Sequence, residues 1–279
     1  MSKDYFKLDT DAPLFRYFRK ENNIEWWQKI LNDEELYVNI RKNNRINVYF
    51  RGASVMELSW TRENKARARI HKAYISLKNG RLGSDDYFKT YQPEEIVTRI
   101  DEIKQNIINY KQPNNPEGAS EKTIQGLMYV KGSYIDTEFE FVREVPNRLI
   151  TRIDFTTITP EGLIEFVELK RISDNRLLKK DSNLKKEEIR TQIRDYNAFI
   201  AKHKEDIVNY YKQIQIVMRN IGVRNPLCDV NITGVSPDTR LHFAGYADGK
   251  ASHPKRINRV AAIKQIMIEE HIKSNIDEI

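Results

Sequence analysis

The sequence predicts an α/β chain in two parts, an N-terminal α+β domain over residues 1–117 and a second α/β domain over residues 118–279. Three observations predict it. Segments of period-two apolar alternation are interleaved with segments of helical period. A Pro/Gly/Asn-rich seam, KQPNNPEGAS at 111–120, carries little that a core could use. Positive charge is concentrated on one side of that seam: residues 41–81 hold eleven Lys/Arg against Glu57 and Glu63, a local excess of +9 in a chain of net charge +7.

In the first part, Ile24, Trp26, Trp27, Ile30 and Leu31 recur at helical spacing. The two tryptophans read as packing residues and not as base-stacking ones. INVYF, then Arg51-Gly52, then SVMELSW reads as strand, turn, strand. In KARARIH, Lys65, Arg67, Arg69 and His71 alternate with Ala66, Ala68 and Ile70. On a strand this puts a basic stripe on one face. Lys65, Arg67 and Arg69 are therefore candidate nucleic-acid-binding residues, because phosphate contact is sequence-independent and needs only cations. The same residues would equally form a solvated, charge-protected strand. A helix is predicted from Pro93 to about Tyr110.

The second part reads as helix, strands, helix, strands, helix. Ser120 can cap a helix through Ile124, Leu127 and Met128. TEFEFV alternates as a short strand. RLITRIDFTTI and GLIEFVELKR are strands joined by the turn sequence Thr159-Pro160-Glu161-Gly162, which makes them antiparallel neighbours. One long helix is predicted over 185–214, with Ile189, Ile193, Tyr196 and Ile200 on one side. VNITGV and LHFAGY are later strands, and a closing helix runs from about Ile257 to Ile272.

Composition narrows the function classes. With 39% hydrophobic and 10% aromatic residues, a folded core is expected. The single cysteine, Cys228, excludes a disulfide or Cys-based zinc framework within one chain. The five histidines are scattered, and no Gly-rich phosphate loop is present. The N-terminus carries charges where a signal peptide needs an apolar run, and no stretch is long enough to span a bilayer. A cytoplasmic protein with no membrane partner is expected. The sequence pI near 9.2 suits a polyanionic partner.

One constellation carries chemistry. On the strand ending VELKR, Ile164, Phe166, Glu168 and Lys170 share a face, so an apolar face ends in two opposite charges. On the neighbouring strand Asp154 shares a face with Ile150, Arg152 and Thr156. Two carboxylates brought close repel, and a divalent cation removes that penalty. Hard oxygen ligands with room for water favour Mg²⁺, with Mn²⁺ substituting. Lys170 would point at the same cleft, where a cation can orient water and offset phosphoryl charge.

Asp154, a spacer of thirteen residues and then Glu168-Leu169-Lys170 resembles the signature of the PD-(D/E)XK nuclease superfamily. Gln192-x-x-x-Tyr196, one helical face at i and i+4, resembles the motif of its RecB-like and lambda-exonuclease-like branch. Ile153 stands where the family name has proline. The resemblance covers roughly residues 118–250 and leaves 1–117 unplaced. It implies a restriction-endonuclease-like core, a central mixed sheet flanked by helices. It also implies Mg²⁺-dependent hydrolysis of nucleic acid, DNA before RNA, leaving a 5′-phosphate and a 3′-hydroxyl. By the same resemblance Asp154, Glu168 and the carbonyl of Leu169 hold the metal, and Lys170 positions or polarises water. Gln192 and Tyr196 steady the substrate or Lys170, and Glu121 on the preceding helix is a further candidate metal ligand. A homodimer is compatible with the sequence. Two other readings stay open: a non-cleaving nucleic-acid-binding protein of nuclease-like fold, and a regulatory or interaction component of a defence or mobile-element system.

Overall fold

In the computed structural model, residues 5–75, 88–111, 120–132, 134–142, 150–171, 189–244, 254–269 and 276–278 are described. The chain is mixed α/β with two sheets. By internal contacts it divides into two compact units, Met1–Ile135 with Asn209–Val230, and Asp136–Val208 with Asn231–Ile279.

The first unit runs through α1 (Pro13–Tyr17), α2 (Glu25–Leu31), β1 (Leu36–Arg41), β2 (Arg45–Phe50), β3 (Ala53–Trp60), β4 (Ala66–His71), α3 (Lys72–Ile75), β5 (Phe88–Tyr91), α4 (Pro93–Val97), α5 (Ile100–Lys111) and α6 (Glu121–Lys131). The strands form an antiparallel meander in the order β1-β2-β3-β4-β5. One face is apolar: Val38, Ile40, Ile46, Val48, Leu58, Ala66, Ala68 and Ile70 are buried. Lys65, Arg67 and Arg69 are exposed, as the alternation predicts. Trp26 and Trp27 are core residues packed on Phe18, and Trp27 Nε1 donates to the Ile221 carbonyl at 2.8 Å.

The helix predicted from Pro93 to Tyr110 is broken. α4 ends at Val97, and α5 begins at Ile100. The break frees Arg99 to donate to the Ile75 carbonyl at 2.8 Å and to pair with Glu102 at 2.7 Å. The break thus coincides with a tertiary contact that the local helical period does not report.

The second unit holds β6 (Asp136–Val142), β7 (Ile150–Ile158), β8 (Leu163–Arg171), α7 (Ile189–Lys202), the start of α8 (Lys204–Asn220), β9 (Gly234–Val235), β10 (Arg240–Ala244), α9 (Pro254–Glu269) and β11 (Ile276–Glu278). The sheet order is β11-β10-β8-β7-β6, with β9 beside β8. β6, β7 and β8 are antiparallel, whereas β8, β10 and β11 are parallel, so the sheet is mixed. A parallel return needs a crossover, and the chain between β8 and β10 contains α7. The β7–β8 turn closes as predicted, with Gly162 N–H donating to the Thr159 carbonyl at 2.9 Å.

The long helix predicted over 185–214 is two helices, and residues 185–188 lie outside the described set. The break is at His203. Its N–H is shared between the Phe199 and Ile200 carbonyls at 3.1 and 3.2 Å, and its ring lies 4.7 Å from that of Phe199. Its Nδ1 is 3.3 Å from Asp206 Oδ2, in the first turn of α8. The seam at 112–119 also lies outside the described residues.

The division differs from the predicted one at 117/118: α6 groups with the first unit, and residues 209–230 return to it. Close backbone packing explains the placement of α6. A Cβ at Gly126 would stand 2.0 Å from Gly52 N, and one at Gly52 would stand 1.8 Å from the Lys122 carbonyl oxygen. Gly52 has φ +73°, the left-handed region that glycine enters at little cost. Tyr129 then stacks on Tyr37 with centroids 4.2 Å apart. Gly126→Ala must displace backbone, so a loss of about 1–3 kcal/mol is expected, read as a lower thermal or urea midpoint.

Burial of the Tyr74 hydroxyl, and to a lesser degree the neighbouring Tyr110, pushes its pKa up to about 12. The unfolded phenol ionises near 10. Stability from this group is therefore complete below pH 10 and is lost as pH rises towards 12. Tyr74→Phe should flatten the fall of stability over that window, by on the order of 2 kcal/mol. Denaturant midpoints measured between pH 9 and 12 check it.

Candidate functional site

The site grows from a place where regular strand pairing stops. Main-chain pairing of β7 with β8 runs from Ile158↔Ile164 to Phe155↔Val167. The next residue of β7 is Asp154. Its Oδ2 accepts from Leu169 N–H at 2.8 Å, so a side chain takes a strand N–H where the ladder ends. On the other edge of β7, the β6 ladder pairs Thr137 with Phe155 and Phe139 with Ile153, and skips Glu138 and Asp154. Glu138 sits at φ +53°. A left-handed non-glycine residue costs about 1–2 kcal/mol, and such strain concentrates at functional positions.

Glu168 and Lys170 follow on β8, with relative exposures of 1% and 5%. Lys170 Nζ is bonded to Glu168 Oε1, and it lies 3.3 Å from the Leu169 carbonyl oxygen. Gln192 and Tyr196 come from one face of α7. Gln192 Nε2 donates to Glu168 Oε1 at 2.7 Å and to the Tyr196 hydroxyl oxygen at 2.5 Å. The amide must turn its NH₂ this way, because its oxygen would face a carboxylate. The Tyr196 hydroxyl lies 2.8 Å from the Arg152 carbonyl and 3.1 Å from Glu168 Oε2, and its proton serves these two acceptors. Both oxygens of Glu168 are thus held by donors from two elements.

Tyr196 is fully buried, and burial pushes its hydroxyl well above the usual phenol range. Glu168 and then Asp154 add to that shift, while hydrogen bonds from Thr151 and Gln192 oppose it. Tyr196 therefore stays a neutral donor. Glu168 touches this hydroxyl directly, and Asp154 is bonded to the backbone N–H of Leu169, the residue between Glu168 and Lys170.

The donor set fits a hard divalent cation in kind. Asp154, Glu168 and the Leu169 carbonyl offer only oxygen, the chemistry that Mg²⁺ and Mn²⁺ take. Two carboxylates stand against one ammonium in the network. Among the described residues, no group of three or more His, Cys, Asp or Glu gathers as a metal site, so Glu121 joins no such group. Glu121 lies in the first turn of α6, in the first unit, behind the Ser120 cap, which accepts from Thr123 N–H at 3.2 Å.

The basic stripe belongs to the first unit. Lys65 pairs with Glu63 at 2.6 Å, and Arg69 with Glu57 at 2.8 Å. Arg67 donates to Thr90 Oγ1 at 3.1 Å. Two members of the second-unit network carried no sequence signal: the Arg152 carbonyl is a backbone atom, and Thr151 is one threonine among several. The left-handed Glu138 likewise sits inside what reads as an ordinary alternating strand. No family model, curated protein or solved structure matches the chain.

The Glu168–Lys170 pair gives a direct test of the network. Removing one partner leaves a buried charge uncompensated, at a cost of about 3–5 kcal/mol. Lys170→Met in EDTA should therefore destabilise strongly, while Glu168→Gln/Lys170→Met should recover most of the loss. Urea denaturation of the three proteins measures it. Equal losses in the single and double variants would show that the pair carries no such coupling.

Proposed function

We propose that the second unit is a metal-dependent nuclease that hydrolyses phosphodiester bonds of nucleic acid, DNA in preference to RNA. Its core would be of the restriction-endonuclease-like kind, in the RecB-like branch of the PD-(D/E)XK superfamily. The observation that carries the reading is the convergence of Asp154, Glu168, Lys170, Gln192 and Tyr196 into one hydrogen-bonded network from β7, β8 and α7. A mixed sheet with an antiparallel three-strand segment, a helical crossover and a parallel strand supports it.

In this reading Asp154, Glu168 and the Leu169 carbonyl would hold Mg²⁺, which when bound supplies Lewis-acid charge to the scissile phosphate. Lys170, paired with Glu168, would orient the attacking water through its remaining N–H groups. It also offsets the negative charge that develops on the phosphoryl oxygens. Gln192 and Tyr196 fix both oxygens of Glu168, so the carboxylate needs little reorganisation as the reaction proceeds. Tyr196 can do this across ordinary pH because its hydroxyl does not ionise there. Dry packing strengthens each of these charges.

Asp154→Asn keeps shape and a hydrogen-bond acceptor while removing charge. It should lower Mg²⁺-dependent cleavage by at least about 100-fold, with the thermal midpoint within a few degrees of wild type. Cleavage of labelled single- and double-stranded DNA and RNA, in Mg²⁺, Mn²⁺ and EDTA, measures it. Wild-type protein that cleaves none of these substrates in either metal, or an Asp154→Asn variant of undiminished activity, overturns the reading.

A further inference from the structure

The polar face of the first-unit sheet is buried around Tyr37, Asn39 and Tyr49, where Tyr129 of α6 stacks on Tyr37, and opens towards β4 and β5, where arginines stand beside exposed aromatic rings; none of these residues belongs to the network described above. Cross-strand register places Asn39, Asn47, Glu57, Arg69 and Thr90 in one row across β1 to β5. On the same face β1 and β2 add the paired Arg41 and Arg45, and β4 adds Arg67 two residues before Arg69. The strand residues of this face thus carry four arginines, Arg41, Arg45, Arg67 and Arg69, and one acid, Glu57. Glu57 is shared by two of them, with Arg45 at 3.1 Å and Arg69 at 2.8 Å. One carboxylate between two guanidinium groups leaves the pair net positive and fixes both in place.

The aromatic part adjoins these charges. Phe88 faces outward beside His71 and is 50% exposed, which is uncommon for a phenylalanine in a strand. The Arg69 guanidinium lies 4.8 Å from its ring centroid, and the His71 ring meets it edge-on at 5.6 Å. Tyr110, 49% exposed, lies 6.2 Å from the His71 ring. Arginine, and not lysine, serves both chemistries: its planar group binds phosphate bidentately and stacks on rings.

We infer that this face binds single-stranded nucleic acid, with phosphates on Arg41, Arg45, Arg67 and Arg69 and an unpaired base stacked on Phe88. Charge complementarity selects a polyanion, and the half-open ring beside a guanidinium selects one with accessible π-faces. A duplex offers the phosphates but keeps its bases stacked within itself. The inference deepens the nuclease reading by naming a substrate class, but the binding rests on the first unit alone.

The test is binding of wild-type protein to fluorescent 20-nucleotide oligo(dT), oligo(U) and a 20-base-pair duplex, in EDTA across a salt series. Both single strands should bind more tightly than the duplex, or one of them should, which then names the sugar. The plot of log K against log salt should have a slope of about −2 to −3 for four phosphate contacts, and Arg67→Ala/Arg69→Ala should reduce it by about 1.4. Phe88→Ala should weaken single-strand binding roughly tenfold, within the range of one base–aromatic stack, and leave the salt slope unchanged. Phe88→Trp keeps the ring, so it should bind like wild type and report stacking by fluorescence quenching, which guards against a misfolded alanine variant. Duplex binding equal to or tighter than single-strand binding overturns the inference. So does a folded Phe88→Ala protein that binds single strands as tightly as wild type, or a Phe88→Trp protein whose fluorescence is not quenched on binding. Because the assay contains no metal, failed binding leaves the cleavage reading standing, and binding without cleavage leaves this one standing.

Discussion

A buried carboxylate next to a buried ammonium is an expensive arrangement in a protein interior, and the second unit is organised around one. Taking Glu168 and Lys170 out of water costs several kcal/mol per ion after relaxation, about as much as their attraction returns. The balance holds only if the remaining lone pairs are satisfied, and here they are met by Gln192 and Tyr196. That requirement constrains everything around it. α7 must dock with Gln192 and Tyr196 turned to β8, so Ile189, Ile193, Phe199 and Ile200 become its apolar anchor. β10 runs parallel to β8, which sets the buried Leu241 beside Glu168 and the buried Phe243 beside Lys170.

Such an arrangement is a poor route to stability, since an apolar pair of similar volume would serve as well or better. Its retention together with a strained Glu138 and an interrupted β7–β8 ladder suits chemistry. Asp154 supplies the second carboxylate from the middle of β7, where pairing with β8 stops and its side chain reaches the Leu169 N–H.

The first unit solves a different problem with the same element type. Its meander is apolar on one face and arginine-rich on the other, and glycine at positions 52 and 126 lets α6 approach the β2–β3 turn closely. The charges are spread over β1, β2 and β4, so no short segment reveals their convergence. Phe88 was invisible as a surface residue for a related reason. A phenylalanine at the start of a strand reads as core until the pairing with β4 shows which way it faces.

Much of this was legible in the residues themselves. The alternation of Lys65, Arg67 and Arg69 with Ala66, Ala68 and Ile70, the Thr159–Gly162 turn and the Ser120 cap are local effects, decided within a few residues by sterics and hydrogen bonding. The candidate network was legible for the same reason, since Glu168 and Lys170 lie two apart on a strand and Gln192 and Tyr196 four apart on a helix. Other features needed the folded chain. The helix breaks at Arg99 and His203 coincide with contacts to the Ile75 carbonyl and to the Phe199 ring, which no local period reports. Nor could the sequence place α6, which depends on one glycine meeting another across 74 positions. The Arg152 carbonyl was out of reach because it has no side-chain identity. Asp154, Glu168 and Lys170 were therefore set by sequence as a candidate site, while the tertiary structure alone decided that the pair is buried and that Gln192 and Tyr196 hold both oxygens of Glu168.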